Sequence, residues 1–147
     1  MTVRAATAAD LPAMISLLAH LFGQEVEFAP DGAAQRRGLI LILDNPSAGR
    51  LLVAERQGRV IGMVNVLYSV STALGGPVAI LEDMIVAPDA RSGGYGRTLL
   101  DAAIQWARKD GALRITLLTD ADNQGAQRFY ERAGFTKSDM VTMRRPT

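Results

Sequence analysis

The stretch Arg91-Ser92-Gly93-Gly94-Tyr95-Gly96-Arg97-Thr98 holds the residue types most suited to chemistry in this chain. Glycines let a backbone turn tightly enough for successive amide N–H groups to face one anion, and a helix starting directly behind them adds its positive end. Such a segment suits a phosphate or a pyrophosphate, although the same composition also describes a plain glycine turn between a strand and a helix. Two nucleotide motifs can be tested against it. The dinucleotide pattern G-x-G-x-x-G fails because Gly94-Tyr95-Gly96 lacks the third glycine, and the P-loop pattern fails because no lysine follows in the required place. The segment also follows three expected strands instead of opening the chain as a first strand-to-helix crossover, unlike a dinucleotide domain.

Other chemistries are thinned out by composition. The chain has 147 residues, no cysteine and a single histidine, His20. Disulfides, thiolate metal sites and a cysteine nucleophile are excluded, and a histidine-based triad or zinc site has little to build on. His20 falls near the inner stripe of an expected helix and reads as structural or solvent-facing. A formal net charge of +1 argues against a nucleic-acid footprint, which needs a dense basic face. With 48% hydrophobic and 21% charged residues the chain reads as one globular domain over residues 1–147. It shows neither a signal-peptide core nor a long uncharged apolar run, so a soluble cytoplasmic protein with no membrane partner is expected.

The elements that must position the loop follow from periodicity. Val3 to Ala6 suits a short strand, and Thr7 and Asp10 suit a helix start. Leu11, Met14, Ile15, Leu18, Leu21 and Phe22 then recur at helical spacing up to Gly23. Gln24 to Gly32 has no sustained period and reads as a loop, with a second helix over Ala33 to Leu43 ended by Asp44-Asn45-Pro46. Arg50 to Arg56 and Val60 to Ser71 read as a hairpin about Gln57-Gly58-Arg59, with a third strand over Val78 to Val86. Helical spacing returns from Thr98 to Lys109, a strand is expected over Leu113 to Thr119, a helix over Gln124 to Ala133, and closing strand material over Phe135 to Arg144. The order predicts a mixed α/β sheet with helices on its faces.

Arg91, Gly94 and Gly96 stand in the R-x-x-G-x-G pattern, and four further features agree in order: the strand ending Leu81-Glu82-Asp83-Met84-Ile85-Val86-Ala87-Pro88, the helix after the loop, Asn123, and Phe129-Tyr130-Glu131-Arg132-Ala133-Gly134-Phe135. Taken together they resemble the acyl-CoA-binding region of the GNAT superfamily of N-acetyltransferases, from about Ile80 to Phe135. The resemblance implies the GNAT fold, a mixed central sheet whose middle strands splay apart, with acetyl-CoA as co-substrate and no metal. It implies that the backbone N–H groups of Gly94, Tyr95, Gly96, Arg97 and Thr98 hold the pyrophosphate, with Arg91, Ser92 and Gly93 also in the cofactor-binding set. It also implies that pantetheine lies along Met84, Ile85 and Val86, within reach of Asn123. Asn123 is equally good as the cap of the helix behind it.

Tyr130 resembles the family tyrosine that protonates the departing thiolate; its other reading is a buried ring packed beside Phe129. Because the attacking amine must be neutral, a base is needed. Glu82 is the leading candidate by its place beside the expected thioester, and glucosamine-6-phosphate acetyltransferases show a similar Glu-Asp pair. Strand alternation would send Glu82 and Asp83 to opposite faces unless a bulge intervenes. Glu82 could instead be a buried carboxylate paired with an arginine, and Asp83 ranks below it as base.

Glu25, Glu27, Phe28 and Tyr68 are acceptor-pocket candidates by location alone. An acidic mouth suits a cationic amine, whereas Arg36 and Arg37 suit a phosphorylated or carboxylated one. The expected activity is transfer of acetyl to a primary amine of a small molecule by direct attack in a ternary complex. A non-catalytic acyl-CoA-binding module and an acetyltransferase of protein or peptide amines are the alternatives. A homodimer is expected by analogy with the family.

Overall fold

The computed structural model describes residues 1–25 and 29–147. Strand β1 (Thr2–Ala5) leads through a short 3₁₀ turn into helices α1 (Leu11–Phe22) and α2 (Gly32–Leu43). Strands β2 (Gly49–Arg56), β3 (Arg59–Ser71) and β4 (Gly76–Val86) follow, then α3 (Tyr95–Lys109), β5 (Ile115–Leu117) and α4 (Gln124–Arg132). The sheet runs in chain order, β1 to β5, antiparallel throughout except for the parallel β4–β5 pair.

Alternation along β2 shows how the sheet is held. Leu51 and Val53 point to the face covered by α1 and α2, where they join Met14, Leu18 and Leu39, while Leu52 and Ala54 point to the α3 face with Leu99, Leu100 and Ala103. Both faces of the central strands are therefore buried, and truncating a side chain such as Leu52 or Leu99 costs about 2–5 kcal/mol. The chain enters α1 through a charged latch. Asp10 is buried and takes a two-pronged bond from Arg4, at 2.8 and 2.9 Å, and a third from the Thr7 N–H at 2.7 Å. The Arg4 guanidinium holds the Asp10 carboxyl down at about 2, well below the usual carboxylate range.

Most expected elements are present within a residue or two, and the differences have physical causes. The β2–β3 turn narrows to Gln57-Gly58, both in the left-handed region, which matches the twist of a two-residue hairpin. Helix α3 begins at Tyr95 and not at Thr98, so the second half of the glycine segment is the first turn of the helix itself. Strand β5 is only three residues long, and Phe135 to Arg144 forms no strand. That closing strand is a correction to the sequence reading: a ladder needs a partner, and no described strand pairs with this segment. Met140, Val141 and Met143 consequently lie exposed.

Candidate active site

Between Ala87 and α3 the chain makes a concave turn. Ser92 and Gly94 both have φ of 75°, and Gly94 is the residue from which α3 starts. A Cβ on Gly94 would meet nothing within 4 Å, so the open side of the turn faces free space, whereas a Cβ on Gly93 would lie 2.4 Å from the Tyr95 ring. The first backbone N–H of the helix to find a carbonyl is that of Thr98, 3.3 Å from the Gly94 oxygen. The N–H groups of Tyr95, Gly96 and Arg97 precede the intrahelical ladder and point out of the helix end, where the macrodipole is positive. A cleft of about 240 Å³ opens there, lined by Val86, Arg91, Ser92, Gly94, Tyr95, Gly96, Arg97 and Phe129 among others.

The side chains around the cleft are tied down. Arg97 bonds Asp101 at 2.9 Å and the Arg132 carbonyl at 3.1 Å, which fastens α4 to the start of α3, and the Arg91 Nε lies 3.4 Å from the Val86 oxygen. Arg56 stacks over the Tyr95 ring at 5.3 Å. The loop thus offers backbone donors held by a rigid frame, the arrangement that binds phosphate groups.

Val86, which lines the cleft, is the last residue of β4. Strands β4 and β5 pair only at Ala79–Ile115, Ile80–Thr116 and Leu81–Leu117. Beyond Leu81 the ladder opens, leaving the β5-facing edge from Glu82 to Val86 without a strand partner, which includes Met84, Ile85 and Val86. The splay expected from the sequence is present.

At the mouth of this splay β4 carries a bulge. Ile85 pairs with Met63 but Glu82 pairs with Asn65, so two residues, Asp83 and Met84, stand opposite one, and Asp83 has φ of 52°. The extra residue resets the alternation. Leu81 and Met84 both pack toward α3, and the Asp83 carboxylate reaches Asn65, whose neighbours Val64 and Val66 face α3. Glu82 and Asp83 therefore share the face covered by α1 and α2.

Their environments differ. Glu82 is exposed and takes part in none of the ion pairs among the described residues, so the alternative of a buried, arginine-paired Glu82 is not what the structure shows. Asp83 is largely buried, and its Oδ2 accepts from the Nδ2 of Asn65, which is 2% exposed. Burial first, then the charges of Glu82 and Glu25, push the Asp83 carboxyl up to about 7. The sequence ranking of Glu82 above Asp83 as base is thus not supported by their surroundings. Asn65 went unnoticed in the sequence, where its one signal is a polar residue inside the apolar run from Ile61 to Val66.

The other candidates separate cleanly. Tyr130 packs edge-on between Phe129 and Phe135, with ring centroids 5.2 and 6.0 Å away, and burial raises its phenol above the usual value. Asn123 caps α4, its Oδ1 accepting from Ala126 N–H at 3.0 Å. Tyr68 donates to Asp110, which also takes two bonds from Arg50 at 2.7 and 2.9 Å. This cluster sits at the C-terminal end of α3, and Tyr68 packs with Val64 and Val66 on the α3 side of the sheet, the face opposite Asn65 and Glu82, as part of a structural clamp. His20 is exposed on the rim of a separate depression of about 480 Å³ between α1 and the β2–β3 turn, next to the Arg59–Asp89 ion pair. Arg36 and Arg37 are exposed on α2, and Glu27 and Phe28 lie outside the described residues.

An antiparallel meander continued by one parallel strand, opened after Leu81 and followed by an anion cradle at the start of α3, defines an acetyltransferase-type α/β domain. The chain belongs to the Acetyltransferase (GNAT) family, which it matches over residues 12–135. It is 34% identical to an uncharacterized N-acetyltransferase of Bacillus subtilis, YhfO, over 138 residues that cover 92% of this chain and 89% of that protein. It is 39% identical over 101 residues to the mycothiol acetyltransferase of Pseudarthrobacter chlorophenolicus, covering 67% of this chain but only 31% of that longer protein. Among solved structures, AAC(6')-Iy in complex with the bisubstrate analog CoA-S-monomethyl-acetylneamine superposes with a TM-score of 0.82 at 20% identity, over 99% of this chain and 97% of that one, a likeness of fold. The protein is accordingly an N-acetyltransferase of this family. Among the described residues no group of three or more acidic or histidine side chains could hold a metal ion, and no helix is long and apolar enough to cross a membrane.

Proposed function

We propose that this chain moves the acetyl group of acetyl-CoA to a primary amine of a small molecule, with both bound at once and no acyl-enzyme intermediate. The observation that carries the reading is the continuity of the Gly94 cradle with the opened edge of β4, which gives a phosphate-bearing cofactor one path from the start of α3 into the sheet. The backbone N–H groups of Gly94, Tyr95, Gly96 and Arg97 would take the pyrophosphate, and Met84 and Val86 would lend main-chain bonds to pantetheine. The CoA-linked bisubstrate analog bound to AAC(6')-Iy supports CoA as the cofactor of this fold.

The amine attacks the thioester carbonyl, the C–N bond forms and the C–S bond breaks. Developing charge on the carbonyl oxygen is met by a main-chain N–H at the bulge, with Met84 the best placed. Tyr130 gives a proton to the departing thiolate. Its raised pKa keeps the phenol protonated over the physiological range, so it is always loaded as the acid, and the same burial raises the thiolate's proton affinity.

Thermal melting with acetyl-CoA, CoA, NAD and ATP in parallel tests the reading, because a ligand that binds only the folded state raises the melting temperature. A rise with acetyl-CoA and CoA alone is expected; a rise with NAD or ATP alone would overturn it.

A further inference from the structure

The α1/α2 side of the splay carries a set of hydrogen-bond acceptors. Glu82 and Asp83 come from the β4 bulge and share one face, and Glu25, three residues past α1, is near enough for its charge to act on Asp83. Between them and the sheet lies Asn65, whose Oδ1 is buried with no hydrogen-bond partner although its Nδ2 is used on Asp83. A buried acceptor left unpaired is destabilising unless a ligand supplies a donor. The carboxylates do not converge tightly enough for a metal ion, since no such group exists among the described residues. No arginine or lysine pairs with Glu82 or Asp83 in any ion pair among those residues. What fits acceptors spread from an exposed rim to a buried floor is an elongated organic cation.

A single amine would be badly served here. It must be neutral to attack, yet a ring of carboxylates holds a lone amine as its ammonium ion. An acceptor with two amino groups resolves the conflict by dividing the tasks.

Resting on the acetyltransferase reading above, we propose that the acceptor is an alkyl diamine, one nitrogen held as an ammonium at Glu82 and the other presented to Asp83 and the thioester. The distal ammonium offsets the charge of Glu82, which after burial is what holds the Asp83 proton in place, so binding favours ionised Asp83 as the base. Asn65 positions that carboxylate. The proximal ammonium then gives one proton to Asp83, attacks, and loses a second as the amide forms. One of the two is matched by the proton that Tyr130 has given to the thiolate, and the other leaves to solvent as Asp83 resets. The groups that act on Asp83 are Glu82 on its own strand, Asn65 on β3 and Glu25 in the segment after α1.

The test uses the full chain and acetyl-CoA, scoring thiol release with the diamines from ethylenediamine to hexamethylenediamine against butylamine, γ-aminobutyric acid and glucosamine 6-phosphate. The best diamine should exceed butylamine in kcat/KM by about tenfold or more, and Glu82→Gln should bring that ratio toward one, since a charge-selective contact is removed. Calorimetry in two buffers of different ionisation enthalpy should show proton release when that diamine binds near neutral pH, and Asp83→Asn should abolish the release. Equal use of butylamine, preference for either anionic acceptor, a ratio indifferent to Glu82→Gln, or silence with every diamine while acetyl-CoA still raises the melting temperature would overturn the diamine inference alone. Loss of the acetyl-CoA melting shift would instead overturn the acetyltransferase reading on which it rests.

Discussion

At the Gly94 loop the working groups are main-chain N–H donors, and side chains serve only to clamp the backbone, as Arg97 does through Asp101 and the Arg132 carbonyl. At the β4 bulge the working groups are side-chain acceptors, and the backbone serves only to aim them. The loop gathers positive potential at a helix end and the bulge gathers negative charge on the opposite face of the sheet, with the splay between them. A reaction that joins an anionic cofactor to a cationic acceptor gains from that separation, because each partner is drawn to its own side. The difference also has an energetic side. The loop's donors are exposed and inexpensive to keep, whereas Asp83 is buried beside two like charges, a local instability of the sort that functional sites carry.

The comparison can be broken most severely at Gly94. A valine there would have to hold a φ of 75°, which β-branched residues avoid, and would put its Cβ into the open space of the cradle. Gly94→Val should weaken acetyl-CoA binding by about 100-fold, a reasonable cost for misplacing several phosphate donors at once. If loop and bulge are separable, the order of preference among acceptors will survive the change; normal affinity by calorimetry would contradict the phosphate assignment.

A smaller effect is expected at Tyr130, which lies between the two regions. Tyr130→Phe keeps the ring that packs on Phe129 and Phe135 but removes the proton, so kcat should fall about 10- to 100-fold while acetyl-CoA affinity stays within about twofold. An unchanged turnover would assign Tyr130 to packing alone.

The last prediction sharpens the energetic contrast. Asp83 has a folded pKa of about 7, raised above its unfolded value near 3.9. Its contribution to stability is complete below pH 4 and is lost as pH rises through 7, because ionising it is harder in the folded state. Asp83→Asn retains an acceptor for the Asn65 amide and removes the charge. It should therefore be more stable than the parent at pH 8 by about 2 kcal/mol and indistinguishable from it near pH 4. Urea titrations at the two pH values measure this, and equal differences at both would show that the carboxylate carries no such strain.

Much of the fold was legible before the structure because apolar periodicity reports burial directly. The stripe from Leu11 to Phe22 and the alternation of Leu51 and Val53 against Leu52 and Ala54 each name the surface they will cover. The closing segment was misread because a strand is a pairing, and period-two patterning in Phe135 to Arg144 says nothing about whether a partner edge reaches it. The glycine loop was legible because its function depends on main-chain freedom, which residue type announces. Tyr68 was misplaced because location along a strand does not reveal that Asp110 and Arg50 wait at the end of α3.

By itself the amino-acid sequence determined the order of elements, the presence of helices on the faces of the sheet, the glycine-rich turn within Arg91 to Thr98 and the resemblance built on it. Those properties are written in local periodicity and residue type. Only the tertiary structure decided which carboxylate is buried. One extra residue in β4 turns Asp83 onto the face of Glu82, and Asn65, eighteen positions earlier in the chain, meets it there. A side chain's protonation depends on what surrounds it in space, and neighbours brought together across strands leave no mark on the spacing of either one.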